Sequence, residues 1–259
     1  MRKTVLQVLT FLCAGVVSFN VNAQDKKYPE PESMSPGMSE WWKPQPPIVT
    51  PGMATDAGST TAPSDAIILF DGKNLDQWQK PNGDAPEWIV ENGVFTVKPG
   101  TGEIRTKQEF GDFQLHIEWR IPENVQGESQ GRGNSGVFLQ GKYEIQILDN
   151  YNNETYSNGQ AGSVYKQSRP LVNAMRKPGE WNVYDIIYEA PTFKKDGTYR
   201  TPPRVTVLQN GVILQNNTII KGTTEYIGFP KVISHGNGPI LLQDHGNPIS
   251  FRNVWIREL

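Results

Sequence analysis

Glu144 and Gln146 are the first residues of this 259-residue chain whose types and spacing suggest chemistry. In the run Lys142-Tyr143-Glu144-Ile145-Gln146-Ile147-Leu148, Tyr143, Ile145 and Ile147 fall on one side of a period-2 strand and Glu144 and Gln146 on the other. A carboxylate and an amide side by side on a strand face, between the Gly- and Asn-rich stretches of Gly131 to Tyr165, suggest a polar cleft able to hold a sugar. Arg132, Asn134 and Ser135 precede that strand, and Asp149 and Tyr165 follow it. Farther on, Gln243 and His245 share a parity in Leu-Leu-Gln-Asp-His-Gly-Asn, so both would point into the cleft if the strand continues. His116 and Glu118 share the polar side of another strand, facing either the cleft or solvent. A carboxylate and an imidazole with amide and guanidinium donors are the parts of general-base chemistry on a polar substrate.

Several of these residues have a plainer reading. Asp149 before Asn150 could cap a turn through its side chain. Asn134, Ser135 and Gly136 could form a tight approach to a strand, and Arg252 could anchor a carboxylate in the core. His116, Glu118, Glu144, Asp149 and His245 are enough imidazole and carboxylate to leave a divalent ion open, although no tight ligand spacing supports one and no cofactor is called for. Asp71 to Asp76 lacks the alternating ligands of a calcium loop and reads as a turn.

The elements that must position these residues are strands. Ile67 to Phe70, the run from Glu87 with an Asn92-Gly93 turn, and Phe113 to Ile121 read as a strand, a hairpin and a long strand. Others follow at Val137, Tyr143 to Leu148, Trp181 to Tyr188, Arg204 to Leu214 with an Asn210-Gly211 turn, Ile240 to Gln243 and Ile249 to Ile256. Helical periodicity is nearly absent, and 20 prolines and 25 glycines fit strands joined by turns. The expected fold is all-β: one antiparallel β-sandwich over 66–259, with a concave ligand-binding face.

The N-terminus reads as export. Arg2 and Lys3, the apolar run to Val17 and the small-residue site Val21-Asn22-Ala23 make residues 1–23 a secretory signal, too short to span a membrane. Cys13, the only cysteine, lies within it, so no disulfide is expected. Residues 24–65 are rich in Pro, Ser, Thr and Gly and read as a tether or a strap on the domain, with the Trp41-Trp42 pair docking on it or reaching a ligand. A net charge of −2 gives no footprint for nucleic acid, no transmembrane segment follows, and the location is periplasmic or extracellular.

Five separated blocks carry a resemblance: LFDGKNLDQW, FGDFQLHIEWRIP, GRGNSGVFLQGKYEIQILD, GEWNVYDIIYEAP and GPILLQDHGNPISFRNVWIREL, in this order. They resemble the 3-keto-disaccharide hydrolase domain family across about Ala66 to Leu259. That resemblance implies a concanavalin A-like jelly roll and cleavage of glycosides whose sugar carries a ketone at C3. Such a substrate implies an upstream sugar-oxidising enzyme. The C3 carbonyl acidifies the hydrogen on C2, so one base can start elimination of the group at C1, and water can add afterwards. Glu144 and His245 are the leading bases, with Arg132, Gln146 and Gln243 as donors. More distantly, Glu144 to Asp149 resembles the Glu-x-Asp-x-x-Glu strand of family 16 endoglucanases, with Gln146 in place of the middle acid. Glu144 and Asp149 would lie roughly 17 Å apart along an ideal strand, whereas a retaining pair needs about 5.5 Å, so a bulge would be required. A lectin-like module without turnover, and an ordinary two-carboxylate endoglucanase, remain alternatives.

Overall fold

The computed structural model describes residues 61–259, together with 35, 37, 40, 43–45 and 48. The expected signal segment and Trp41-Trp42 lie outside the described residues. Fifteen strands are described: β1 (Ile67–Phe70), β2 (Trp78–Gln79), β3 (Ile89–Glu91), β4 (Val94–Thr96), β5 (Ile104–Thr106), β6 (Phe113–Arg120), β7 (Ser135–Leu139), β8 (Tyr143–Ile147), β9 (Trp181–Glu189), β10 (Thr192–Phe193), β11 (Tyr199–Thr201), β12 (Arg204–Gln209), β13 (Val212–Ile219), β14 (Leu241–Leu242) and β15 (Ser250–Glu258). Asn92 and Gly93, and Asn210 and Gly211, all take positive φ, which is the backbone a two-residue hairpin turn requires.

Two antiparallel sheets form the sandwich. The larger has eight strands in the order β13-β12-β9-β6-β15-β4-β3, with β1 also on β15, and the smaller has five in the order β2-β5-β14-β7-β8. Alternation along the strands explains the core between them. Phe113, Leu115, Ile117 and Trp119 of β6, Tyr184, Ile186 and Tyr188 of β9, Val137 and Leu139 of β7, and Tyr143, Ile145 and Ile147 of β8 are all buried in one apolar cluster. The Tyr184 hydroxyl crosses between sheets to donate to the Gln146 carbonyl at 2.7 Å. Removing this much apolar surface from water is the main stabilising term. The opposite parity of each strand turns outward, away from the core.

The described part of the N-terminal stretch touches the segment after β8. Lys43 pairs with Glu154 at 3.0 Å, Gln45 donates to the Thr155 carbonyl at 3.1 Å, and Ile48 bridges Asn173. Farther back, Glu40 pairs with Lys166 at 2.8 Å.

Candidate functional site

Strand pairing lines up a set of side chains across the outer face of the five-stranded sheet. In register from edge to edge run Gln79, Arg105, Leu241, Phe138 and Glu144. Each is outward by alternation, because its strand neighbours Trp78, Ile104, Leu242, Val137, Tyr143 and Ile145 are in the core. The next row holds Gly136 and Gln146, with Gln243 beside them through its N–H to the Gly136 carbonyl at 3.0 Å. The chain after β8 returns along that strand's free edge: Val164 bridges Ile145, and Tyr165 N–H donates to the Glu144 carbonyl at 3.1 Å. Tyr165 thereby stands opposite Glu144.

Glu144 is the electrostatic centre of this face. It is only 4% exposed, and burial pushes its carboxyl up from 4.5 to about 8. Its carboxylate lies over Gly136, where an added Cβ would stand 2.4 Å from Oε1, so the absence of a side chain at 136 makes the room. The Gln146 amide lies against the Glu144 carboxyl. With its nitrogen turned inward the amide donates 2.9 Å to Glu144 Oε1 and 2.9 Å to the Ser135 carbonyl, which suits an ionised Glu144.

Two polar atoms on this face are buried without a hydrogen-bond partner among the described residues, Gln243 Oε1 and Arg105 Nε. Such groups are costly unless something completes them. Phe138 and Leu241 are half-buried and form an apolar floor between Arg105 and Glu144. At the Glu144 end, the Tyr165 hydroxyl lies 2.6 Å from that of Tyr156, and burial pushes Tyr165 up to about 12, with the Glu144 charge adding to the rise.

Other residues anticipated from sequence serve the scaffold around this face. Asn134 is outward, donating to the Gln130 carbonyl at 2.8 Å and standing 3.5 Å from the Gln146 amide. Ser135 donates to the Gln243 carbonyl at 2.8 Å and so ties β7 to the segment after β14. Arg132 Nε pairs with Asp149 at 2.7 Å, and the Asp149 carboxylate also accepts the Tyr151 N–H at 3.0 Å. This is the turn-capping arrangement. β7 and β8 pair without a bulge from Ser135 opposite Ile147 to Leu139 opposite Tyr143, and Asp149 lies beyond the end of that pairing. The strand that was to aim His245 ends at Leu242, and His245 is exposed in the following loop. There Asn247 Oδ1 accepts the Gly133 N–H at 2.6 Å.

His116 and Glu118 lie elsewhere. Their polar parity is real, but β6 belongs to the eight-stranded sheet, so their face is on the far side of the core from Glu144. His116 Nδ1 is 2.7 Å from Asp185, its ring stacks on Trp255 at 5.0 Å, and Glu118 takes Arg252 Nε at 2.6 Å and Asn253 at 2.8 Å. Burial disfavours both charges, yet Asp185 and Glu118 outweigh it to hold His116 near 9, and His116, Asn253 and Arg252 hold Glu118 near 2. The five donors that left a metal open are thus divided between two faces, a turn and an exposed loop. Among the described residues no three His, Cys, Asp or Glu side chains gather as a metal group.

Sequence reasoning missed Arg105, Gln79, Phe138 and Leu241. Their signal was short: in Ile104-Arg105-Thr106 a single charged residue sits between two inward ones, too few positions for a period to register.

The sequence profile of the 3-keto-alpha-glucoside-1,2-lyase-like domain matches residues 65–257. A 3-keto-disaccharide hydrolase from Bacteroides thetaiotaomicron is 26% identical over 256 residues, which cover 80% of this chain and 83% of that protein. A crystal structure from Parabacteroides distasonis, provisionally named a glycosyl hydrolase, is 67% identical with a TM-score of 0.77, covering 86% of this chain and 96% of that one. A second from the same organism, at 24% identity and a TM-score of 0.53 over 75% and 94% of the two chains, shares the sandwich fold.

Proposed function

The chain belongs to the 3-keto-alpha-glucoside-1,2-lyase-like family, and on that premise we propose that it cleaves the glycosidic bond of 3-keto-glycosides by elimination followed by hydration. The observation that carries this reading is Glu144: one buried carboxyl whose protonation switches near pH 8, on a face whose neighbouring polar atoms await partners. Ionised Glu144 takes the proton from C2. The electrons of that bond form an enolate with the C3 carbonyl, which then expels the oxygen at C1 as the leaving group gains a proton. Water adds across the double bond, returning hydrogen to C2 and hydroxyl to C1, so that glycoside and water give two sugars. Gln146 donates its amide to the ionised Glu144, and Gln243 offers its side chain to a substrate hydroxyl.

Two features favour elimination over ordinary hydrolysis by paired carboxylates. Asp149, the second acid of the segment, lies past the end of β8 and is engaged by Arg132 and the Tyr151 N–H. A lectin, in turn, has no need for a carboxyl held near neutral pH. The ketone has to be made first, by an enzyme that removes two electrons from the C3 hydroxyl, and the leader read in residues 1–23 would have both enzymes act outside the cytoplasm.

The test is to incubate the protein with an aryl glucoside and with its 3-keto derivative, with and without chelator, following aglycone release and enone absorbance. Release from the keto form alone is expected. Equal release from both forms, or saturable binding of the keto form with no release, would overturn the proposal, and loss on chelation would add a metal to it.

A further inference from the structure

The elimination requires a group for the negative charge that develops on the C3 oxygen, and the neutral amides beside Glu144 do not supply one of opposite sign. Arg105 lies in the same cross-strand row as Glu144, three strands away, or roughly 14 Å between backbones at the usual strand spacing. Both side chains rise from the same face, and the Glu144 carboxylate lies over Gly136 of the intervening β7. Between them Leu241 and Phe138 form a half-buried apolar floor, suited to the C–H face of a pyranose ring. Among the described residues Arg105 makes no ion pair, and its Nε is buried without a hydrogen-bond partner. Two other guanidiniums of the sandwich are engaged, Arg132 by Asp149 and Arg252 by Glu118. A half-buried guanidinium whose Nε is left incomplete, in the row of the proposed base, is a donor suited to an anion.

We infer that Arg105 is a further catalytic residue, its guanidinium holding the C3 carbonyl oxygen and stabilising the enolate as Glu144 removes the C2 proton. This rests on the elimination reading above. The C2–H bonding pair becomes the C2=C3 double bond, the carbonyl pair moves onto oxygen, and Arg105 stays protonated throughout. Because C2 and C3 are adjacent, the proton and the oxygen lie close together, so the long Arg105 side chain has to reach over the apolar floor toward a ring held against Glu144.

The test compares wild type, R105A, R105Q and R105K, in the full chain, on two 3-keto-glucosides that differ only in the aglycone, one a sugar and one an aryl group. Removing an oxyanion donor costs about 10²- to 10³-fold in kcat. R105A and R105Q should lose about that much on both substrates, with KM changed far less, R105K should fall between, and added guanidinium should restore part of the R105A rate. Circular dichroism and thermal melts establish that the variants fold; R105Q keeps a polar stem should R105A not. The inference is overturned if the folded variants retain kcat within threefold of wild type, or if the loss appears with one aglycone only, which would make Arg105 an aglycone contact. Wild-type inactivity on both substrates would overturn the elimination reading and this inference together.

Discussion

The two outward faces of the sandwich carry similar residues in opposite states. On the eight-stranded sheet, His116 and Glu118 are 1% and 2% exposed, and each finds a charged or hydrogen-bonding partner. On the five-stranded sheet, Glu144 is 4% exposed and its charge has no cationic partner among the described residues, while Arg105 and Gln243 keep unfilled positions. Burial acts on both faces, but it is overcome on one and uncompensated on the other, so the carboxyls separate to about 2 and about 8. An acid and a base on a strand face therefore do not identify a site. Unpartnered polar atoms do not mark it alone either, since Trp255 Nε1 beside His116 is one as well. What sets the five-stranded face apart is a buried carboxyl without a cation in one row with a guanidinium without an anion, among the described residues.

The largest test of that contrast is at Glu144. E144Q should lower the rate of aglycone release from a 3-keto-glucoside by about 10³-fold, the scale of a positioned general base, while the fold is kept or made more stable because a neutral amide is cheaper to bury. Steady-state kinetics beside a thermal melt would measure both, and a rate within tenfold of wild type would remove Glu144 from the mechanism. On the other face the outcome should invert. E118A takes one of two carboxylate partners from the buried His116 and the ion pair from the partly exposed Arg252, whose charge water screens, and should cost about 2 kcal/mol in denaturant unfolding while kcat stays within about twofold. A large fall in kcat with intact stability would mean that this face, too, meets substrate.

Much of the fold was legible because its longer strands repeat often enough to show their period. Phe113 to Arg120 and Tyr143 to Ile147 alternate cleanly, and the Asn-Gly pairs at 92 and 210 mark hairpins by the positive φ they tolerate. The site was half legible for the same reason. Alternation placed Glu144 and Gln146 outward, but it states only which face of its own strand a residue takes. It does not say which sheet the strand joins, so His116 and Glu118 looked equivalent to Glu144 until pairing put β6 and β8 in different sheets. Arg105 was hidden differently: β2, β5 and β14 are two or three residues long, and only cross-strand register reveals that they set Gln79, Arg105 and Leu241 in line with Glu144. His245 failed through length as well, since parity beyond Leu242 has no meaning once the strand has ended.

A further test is in pH dependence, and here the two buried carboxyls should pull in opposite directions. Glu144 keeps its proton in the folded protein up to about 8, whereas an ordinary glutamate loses it near 4.5. Between those values the unfolded chain binds fewer protons than the folded one, so the contribution of Glu144 to stability is complete below about 4.5 and declines as pH rises through 8. Glu118, held near 2, contributes stability that is present above about 4.5 and is lost as pH falls toward 2, while His116, held near 9, contributes stability that is complete below 6.5 and is lost as pH rises through 9. Over pH 5 to 8 the Glu118 contribution is nearly constant, and that of His116 is common to wild type and E144Q, so the difference in unfolding free energy between the two proteins isolates Glu144. That difference should move against wild type steadily across the window. In the same range kcat/KM for the 3-keto-glucoside should climb about tenfold per pH unit and level off near 8, because the ionised form that weakens the fold is the form that takes the proton. A stability difference that does not vary with pH, alongside a flat rate profile, would mean that Glu144 is ionised throughout and is no more a tuned base than Glu118.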